Sequence, residues 1–102
     1  MRSRNIKPGF VKNEELATLP PLARILFVGL WMVADREGRL EDRPRRLKVE
    51  ILPYDDCDVD ELLWALHEKS FIYRYQINAD HFVYIPNFLE HQNPHHREAD
   101  SV

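Results

Sequence analysis

Arg43, Arg45, Arg46 and Lys48 place four cations within six residues, and Arg2, Arg4, Lys7 and Lys12 place four more in the first twelve. Clustered cations act on polyanions: they neutralise phosphates, release counterions and give an affinity that falls with salt. Arg74 stands between Tyr73 and Tyr75, with Tyr84 ten residues on. Rings beside a guanidinium can stack on unpaired bases, and tyrosines in such a pattern also pack a hairpin. Trp64 has Asp60, Glu61 and Glu68 near it. That setting suits a protein interface, since tryptophan is a common anchor and acids repel nucleic acid. His91, His95 and His96, with Glu90, have separations that zinc tolerates. Pro94 interrupts them and no cysteine pair accompanies them, so no metal is expected. No Gly-rich phosphate loop, nucleophile elbow or HExxH helix is present. No catalytic residue, cofactor or enzyme activity is therefore expected.

The chain that must position these groups has 102 residues, 44% hydrophobic and 30% charged. That is one domain with one modest core. The single cysteine, Cys57, excludes an internal disulfide framework. The longest strongly apolar run, Ile25 to Ala34, is half the ~20 residues a membrane span requires. Glu14 and Glu15 precede any apolar run, so a signal peptide is not expected. A cytoplasmic, reducing setting without membrane contact is the expectation. The net charge of −3 hides a division: residues 1–48 sum to +5 and residues 49–102 to −8. A small domain polarised in this way can attract a polyanion with one face, or simply carry two solvated faces of opposite sign.

Residues 1–12 read as an extended basic arm, broken at Pro8-Gly9 and anchored by Phe10 and Val11. Asn13 caps a short turn through Leu16. Pro20-Pro21 starts a long helix, with Leu22, Ile25, Leu26, Gly29 and Val33 on one face and Phe27, Val28, Leu30 and Trp31 filling most of the rest. A helix apolar nearly all round is expected to be covered on several sides. Arg39 to Glu41 forms a short edge strand. Asp42 is the expected N-cap of a second helix over 43–52, and Asp58 that of a third over 58–70, whose core stripe is Val59, Leu62, Leu63 and Leu66. Trp64 falls about 140° from Val59 on that wheel, outside the stripe. It must lie over the arm or tail of its own chain, or anchor an interface. Phe71 to Ile77 alternates as a strand and His81 to Ile85 returns as its partner, after a turn at Asn78-Ala79-Asp80. The buried face of this hairpin is left open by the pattern. The resulting expectation is an α+β fold of the winged helix-turn-helix kind, with three main helices, a C-terminal hairpin wing and a short edge strand. The domain is expected over 13–89, and a polar, His-rich tail or linker over 90–102.

Longer runs carry a resemblance. Arg4 to Phe10, Lys12 to Leu16, Leu19 to Arg24, Leu30-Trp31, Ala34 to Pro44, Pro53 to Asp55 and Ile85 to Phe88, with His91-Gln92 and Pro94, cover nearly the whole chain. They resemble the N-terminal winged-helix domain of phage and prophage replication initiation proteins, related to the primosome protein DnaD. The resemblance implies a winged helix and a role in starting DNA replication, through DNA binding, self-association or both. It implies no catalytic residues.

One departure stands out. The second helix of a helix-turn-helix pair normally reads the major groove. Here that helix presents Asp60, Glu61, Trp64, His67 and Glu68, after Asp55, Asp56 and Asp58. Acids repel phosphate, so either another surface meets DNA or this surface binds protein. The expected DNA contacts are Arg2, Arg4, Lys7, Lys12, Arg43, Arg45, Arg46, Lys48 and Arg74. The expected protein interface is Trp64 with Asp60, Glu61 and Glu68. The partners are duplex or single-stranded DNA, replication proteins and further copies of the chain. The alternative is a protein-interaction and oligomerisation module of a replisome organiser, with little DNA binding of its own. A single-domain transcription regulator fits the same residues.

Overall fold

Proline in a first turn forfeits no intrahelical hydrogen bond, so Pro8, Pro21 and Pro44 each begin a helix. A computed structural model describes residues 1–88. The elements run α1 (Pro8–Lys12), α2 (Glu14–Ala17), α3 (Pro21–Val33), β1 (Arg39–Glu41), α4 (Pro44–Ile51), α5 (Val59–Glu68), β2 (Tyr73–Ile77) and β3 (Asp80–Tyr84). Over the described residues the fold is α+β: five helices and a three-stranded antiparallel sheet of order β1-β3-β2. The polar tail from residue 90, with His91, His95 and His96, lies outside the described residues. Among the described residues no helix is long and apolar enough to cross a membrane.

α3 is the central element and packs against α4 and α5, which also pack against each other. Its Ala23, Leu26, Phe27, Leu30 and Trp31 are buried, and they meet Val59, Leu62, Leu63 and Leu66 of α5, all four of the expected stripe, within one core. Ile72, Val83, Ile85 and Phe88 close that core from the sheet side. The register pairs Leu40 with Val83 and Val83 with Arg74, so the inner face of the sheet runs across all three strands. This decides the hairpin face. Ile72 and Val83 point inward, while Tyr73, Ile77 and Tyr84 are exposed.

Two expectations need correction. The N-terminal arm is not free. Pro8–Lys12 forms a helical turn where Pro8-Gly9 suggested a break, and Phe10 sets its ring edge-on to buried Trp31 at 5.5 Å. α3 is covered on several sides as expected, by α2, α4 and α5, with Ile25 left 52% exposed. Asp42 does not cap α4: Arg43 occupies the N-cap without a side-chain bond, and the Asp42 carboxylate turns to Arg74 instead. Asn13 and Asp58 do cap as expected, Asn13 accepting from Leu16 N at 3.0 Å and Asp58 from Asp60 N at 3.0 Å.

The turn between α3 and β1 is built on Asp35 and Gly38. Gly38 sits at φ +82°, and a Cβ there would come within 2.7 Å of Phe88 Cβ and 2.9 Å of the Ile85 carbonyl. Only glycine fits, because both the backbone angle and the space exclude a side chain. The end of α5 uses a less suitable residue. Ser70 takes φ 64°, Ser70 N donates to His67 O at 2.9 Å and Phe71 N to Leu66 O at 3.0 Å. This is the Schellman arrangement, with serine where glycine is preferred. Ser70→Gly is expected to raise unfolding stability by about 0.5–1 kcal/mol, the left-handed strain relieved outweighing the added unfolded-state entropy. Urea denaturation would show it as a higher midpoint at unchanged slope.

Candidate nucleic-acid and protein interfaces

The basic residues of the first half divide by what already holds them. Arg2 and Arg4 are structural. Arg2 N donates to Met32 O at 2.9 Å, Arg4 Nε to Trp31 O at 2.9 Å, and both guanidinium groups reach Ala34 O, at 3.2 and 3.1 Å. The last carbonyls of a helix lack intrahelical donors and carry partial negative charge, so two arginines satisfy both needs. Arg4 also lies over the Phe88 ring, 5.2 Å from its centroid. The flexible basic arm is thus replaced by a strap across the end of α3. Lys7, the N-cap of α1, and Lys12, its last residue, are exposed.

Arg74 is also held within the fold. Strand alternation puts it on the inner face with Ile72, opposite Val83. Its side chain is 10% exposed and that of Asp42 is 4% exposed. The guanidinium fork grips Asp42 with Nε to Oδ2 at 2.7 Å and Nη2 to Oδ1 at 3.1 Å. Nη2 also donates to Asp60 Oδ1 at 2.7 Å, and Nη1 to Asp60 O at 3.4 Å. Burial opposes the charged guanidinium, but the hydrogen bonds to Asp42 and Asp60 and the charges of both outweigh it, so its pKa lies above the ordinary arginine value. The Trp64 ring caps the assembly, its centroid 4.6 Å from Arg74 Cζ. Arg74 N donates to His67 Nδ1 at 3.0 Å, which makes Nδ1 an acceptor and leaves the ring proton on Nε2.

This cluster revises the expected protein interface. Asp60 is committed to Arg74. Among the described residues Trp64 lies over neither the arm nor the core, and the tail lies outside them: one face covers the guanidinium, His67 meets it edge-on at 5.2 Å, and 48% of the residue is exposed. Glu61 and Glu68 are exposed on the same helix. The tyrosines follow the packing reading in part: Tyr75 lies 5.6 Å from Phe82, and Tyr73 sits opposite Tyr84.

α4 retains the outward basic surface. Arg43 and Arg46 are well exposed, although Arg43 Nε lies 2.6 Å from Glu41 and Arg46 Nε 3.6 Å from Glu50. Arg45 is exposed. Lys48 is turned back, its Nζ donating to Leu52 O at 3.1 Å at the end of the helix. Exposed pairs of this sort contribute little to stability, so the arginines can exchange their carboxylates for phosphates at small cost.

One surface was missed by the sequence reading. Ile6, Ile25, Val28, Met32 and Ile51 line an open apolar groove of about 470 Å³ between the N-terminal segment, α3 and α4. Its only signal was an excess of apolar residues round α3, more than two neighbouring helices can cover. Comparison of the chain with protein-family models, with curated proteins and with solved structures finds no match.

Proposed function

We propose that the chain is a winged helix-turn-helix module of a phage-type replication initiation protein, and that it meets the DNA backbone through α4. The reading is carried by one observation: Arg43, Arg45 and Arg46 all reach solvent from the first turn of α4 and its N-cap. The helix order, the hairpin after α5 and the β1-β3-β2 sheet support the winged-helix part. The resemblance to replication initiators supports the biological setting. Phosphate contact by α4 is sequence-independent, which suits a helix that offers arginines without Asn or Gln beside them. The acidic α5 favours a second reading, a protein-interaction module, because Glu61, Glu68 and half-exposed Trp64 oppose phosphate.

Titration of duplex and single-stranded DNA over a salt series separates the two. Changing Arg43, Arg45 and Arg46 together to alanine is expected to weaken binding across sequences and to lower the salt slope by about three, roughly one per phosphate contact. Unchanged affinity and slope would remove α4 from the DNA surface. Absence of binding by the wild type at low salt would leave the protein-interaction reading.

A further inference from the structure

We propose that the open apolar face of α3 seats a second copy of this chain, packed antiparallel about a two-fold axis. The inference deepens the self-association part of the reading above and is independent of DNA contact by α4.

Pro21, Ile25, Val28 and Met32 recur at spacings of four, three and four. That is the seam by which one helix packs along another. On α3 the seam borders the groove: Pro21 and Ile25 are exposed, Ile25 by 52%, Val28 and Met32 are half-buried, and among the described residues no element lies across it. Met1 at 65%, Ile6 at 57% and Val11 at 67% exposure widen the apolar area beside it. Contiguous apolar surface of this kind marks a contact rather than a solvated face.

Charge chooses the occupant. Arg24 lines the groove half-buried, with no hydrogen bond or ion pair to any described residue. Glu50 lines the same groove from α4 and holds only Arg46, loosely, at 3.6 Å. The groove therefore offers one cation that lacks an acid and one acid that is weakly held. α3 and α4 meet where Ile51 packs on Gly29: a Cβ at Gly29 would run into Ile51 Cγ2. An antiparallel crossing centred between Ile25 and Val28 brings Arg24 of one copy level with Gly29 of the other, where Ile51 and its neighbour Glu50 lie. The two-fold axis repeats the pairing, so each copy supplies the acid the other lacks. Such an isologous contact closes at two. Residues 89–102 have Leu89, Ala99 and Val102 as their aliphatic side chains, too few to repeat the four-three-four spacing of the seam.

Sedimentation equilibrium of the full chain over a concentration series tests this. The expected result is a monomer–dimer equilibrium that stops at two. Ile25→Asp should raise its dissociation constant at least about tenfold while the far-ultraviolet circular dichroism is unchanged, since an exposed side chain is altered. Arg24→Glu and Glu50→Arg should each weaken the dimer, and the two combined in one chain should restore it. That rescue does not depend on how well Ile25→Asp folds, and it excludes an unrelated partner. A wild type that stays monomeric at every concentration overturns the proposal. So does a dimer indifferent to Ile25→Asp, or a charge-swapped chain no tighter than either single variant. Growth beyond two that Trp64→Ala abolishes would move the contact to α5 and overturn it equally. DNA titration of Ile25→Asp reads the function proposal separately, because Ile25 lies on α3 and its substitution leaves Arg43, Arg45, Arg46 and their acidic neighbours Glu41 and Glu50 in place.

Discussion

Arg74→Ala is expected to cost the fold about 3–5 kcal/mol, the loss seen when one partner of a buried ion pair is removed. The substitution leaves Asp42, 4% exposed, without the bidentate donor that offsets its burial. It also frees Asp60 and uncovers one face of Trp64. A domain of this size has roughly 5–15 kcal/mol in total, so the variant would sit near the edge of folding. Arg74→Lys should lie between the two, because an ammonium keeps the charge but lacks the planar fork that reaches Asp42 and Asp60 together. Removing Asp42 along with Arg74, as Asp42→Leu with Arg74→Met, should recover much of the loss, since an apolar pair carries no desolvation cost. Guanidinium denaturation of the four proteins checks this ordering. A loss below about 1 kcal/mol for Arg74→Ala would show that the cluster is a surface pair and not a buried clamp. The clamp has a functional side. Asp42 precedes α4 by two residues, so Arg74 fixes where the basic helix starts relative to the hairpin. Any effect of Arg74→Ala on DNA binding is therefore expected to follow the loss of fold, with the salt slope of the folded fraction unchanged.

Asp35→Ala is expected to cost about 3 kcal/mol. Asp35 is fully buried, and its Oδ1 accepts from Glu37 N at 2.9 Å and Arg39 N at 3.0 Å, while Oδ2 faces Arg39 Nε at 3.2 Å. Alanine leaves two backbone donors without their acceptor, each worth about 1–3 kcal/mol if it stays dry. Asn keeps one carbonyl oxygen for those donors and gives up only the charged contact, so Asp35→Asn should lose about half as much. Equal losses for Asn and Ala would mean that the charge, not the turn, is what the site needs. The consequence extends to the sheet, because Asp35 N donates to Arg39 O at 2.9 Å, and Arg39 opens β1. Loss of this turn should loosen β1 from β3 before it reaches α5, and amide exchange along Arg39–Glu41 would report it.

Local signals settled much of this protein from the sequence. Prolines at first-turn positions, Asn13 and Asp58 as caps, and the apolar stripe of α5 act over three or four residues, and nothing distant competes with them. The strand alternation of Tyr73 to Ile77 was equally plain, as was the concentration of arginines in α4. What alternation alone left open was which face is buried, because either parity fits an isolated strand. Packing decided it by burying Ile72 and Val83 in one core with the apolar residues of α3 and α5, and Arg74 had to follow its parity inward. An arginine on the apolar side of a strand calls for a buried acid, yet Asp42 stands 32 residues away and looked like a helix cap. The same distance effect moved Arg2 and Arg4. As a sequence they are two cations near a terminus; in the fold they meet the bare carbonyls of α3 about thirty residues on. Residue type showed that these side chains carry charge and which chemistry they favour. Which charges remain available to a partner was decided only when tertiary packing brought distant acceptors to some of them and left the arginines of α4 facing water.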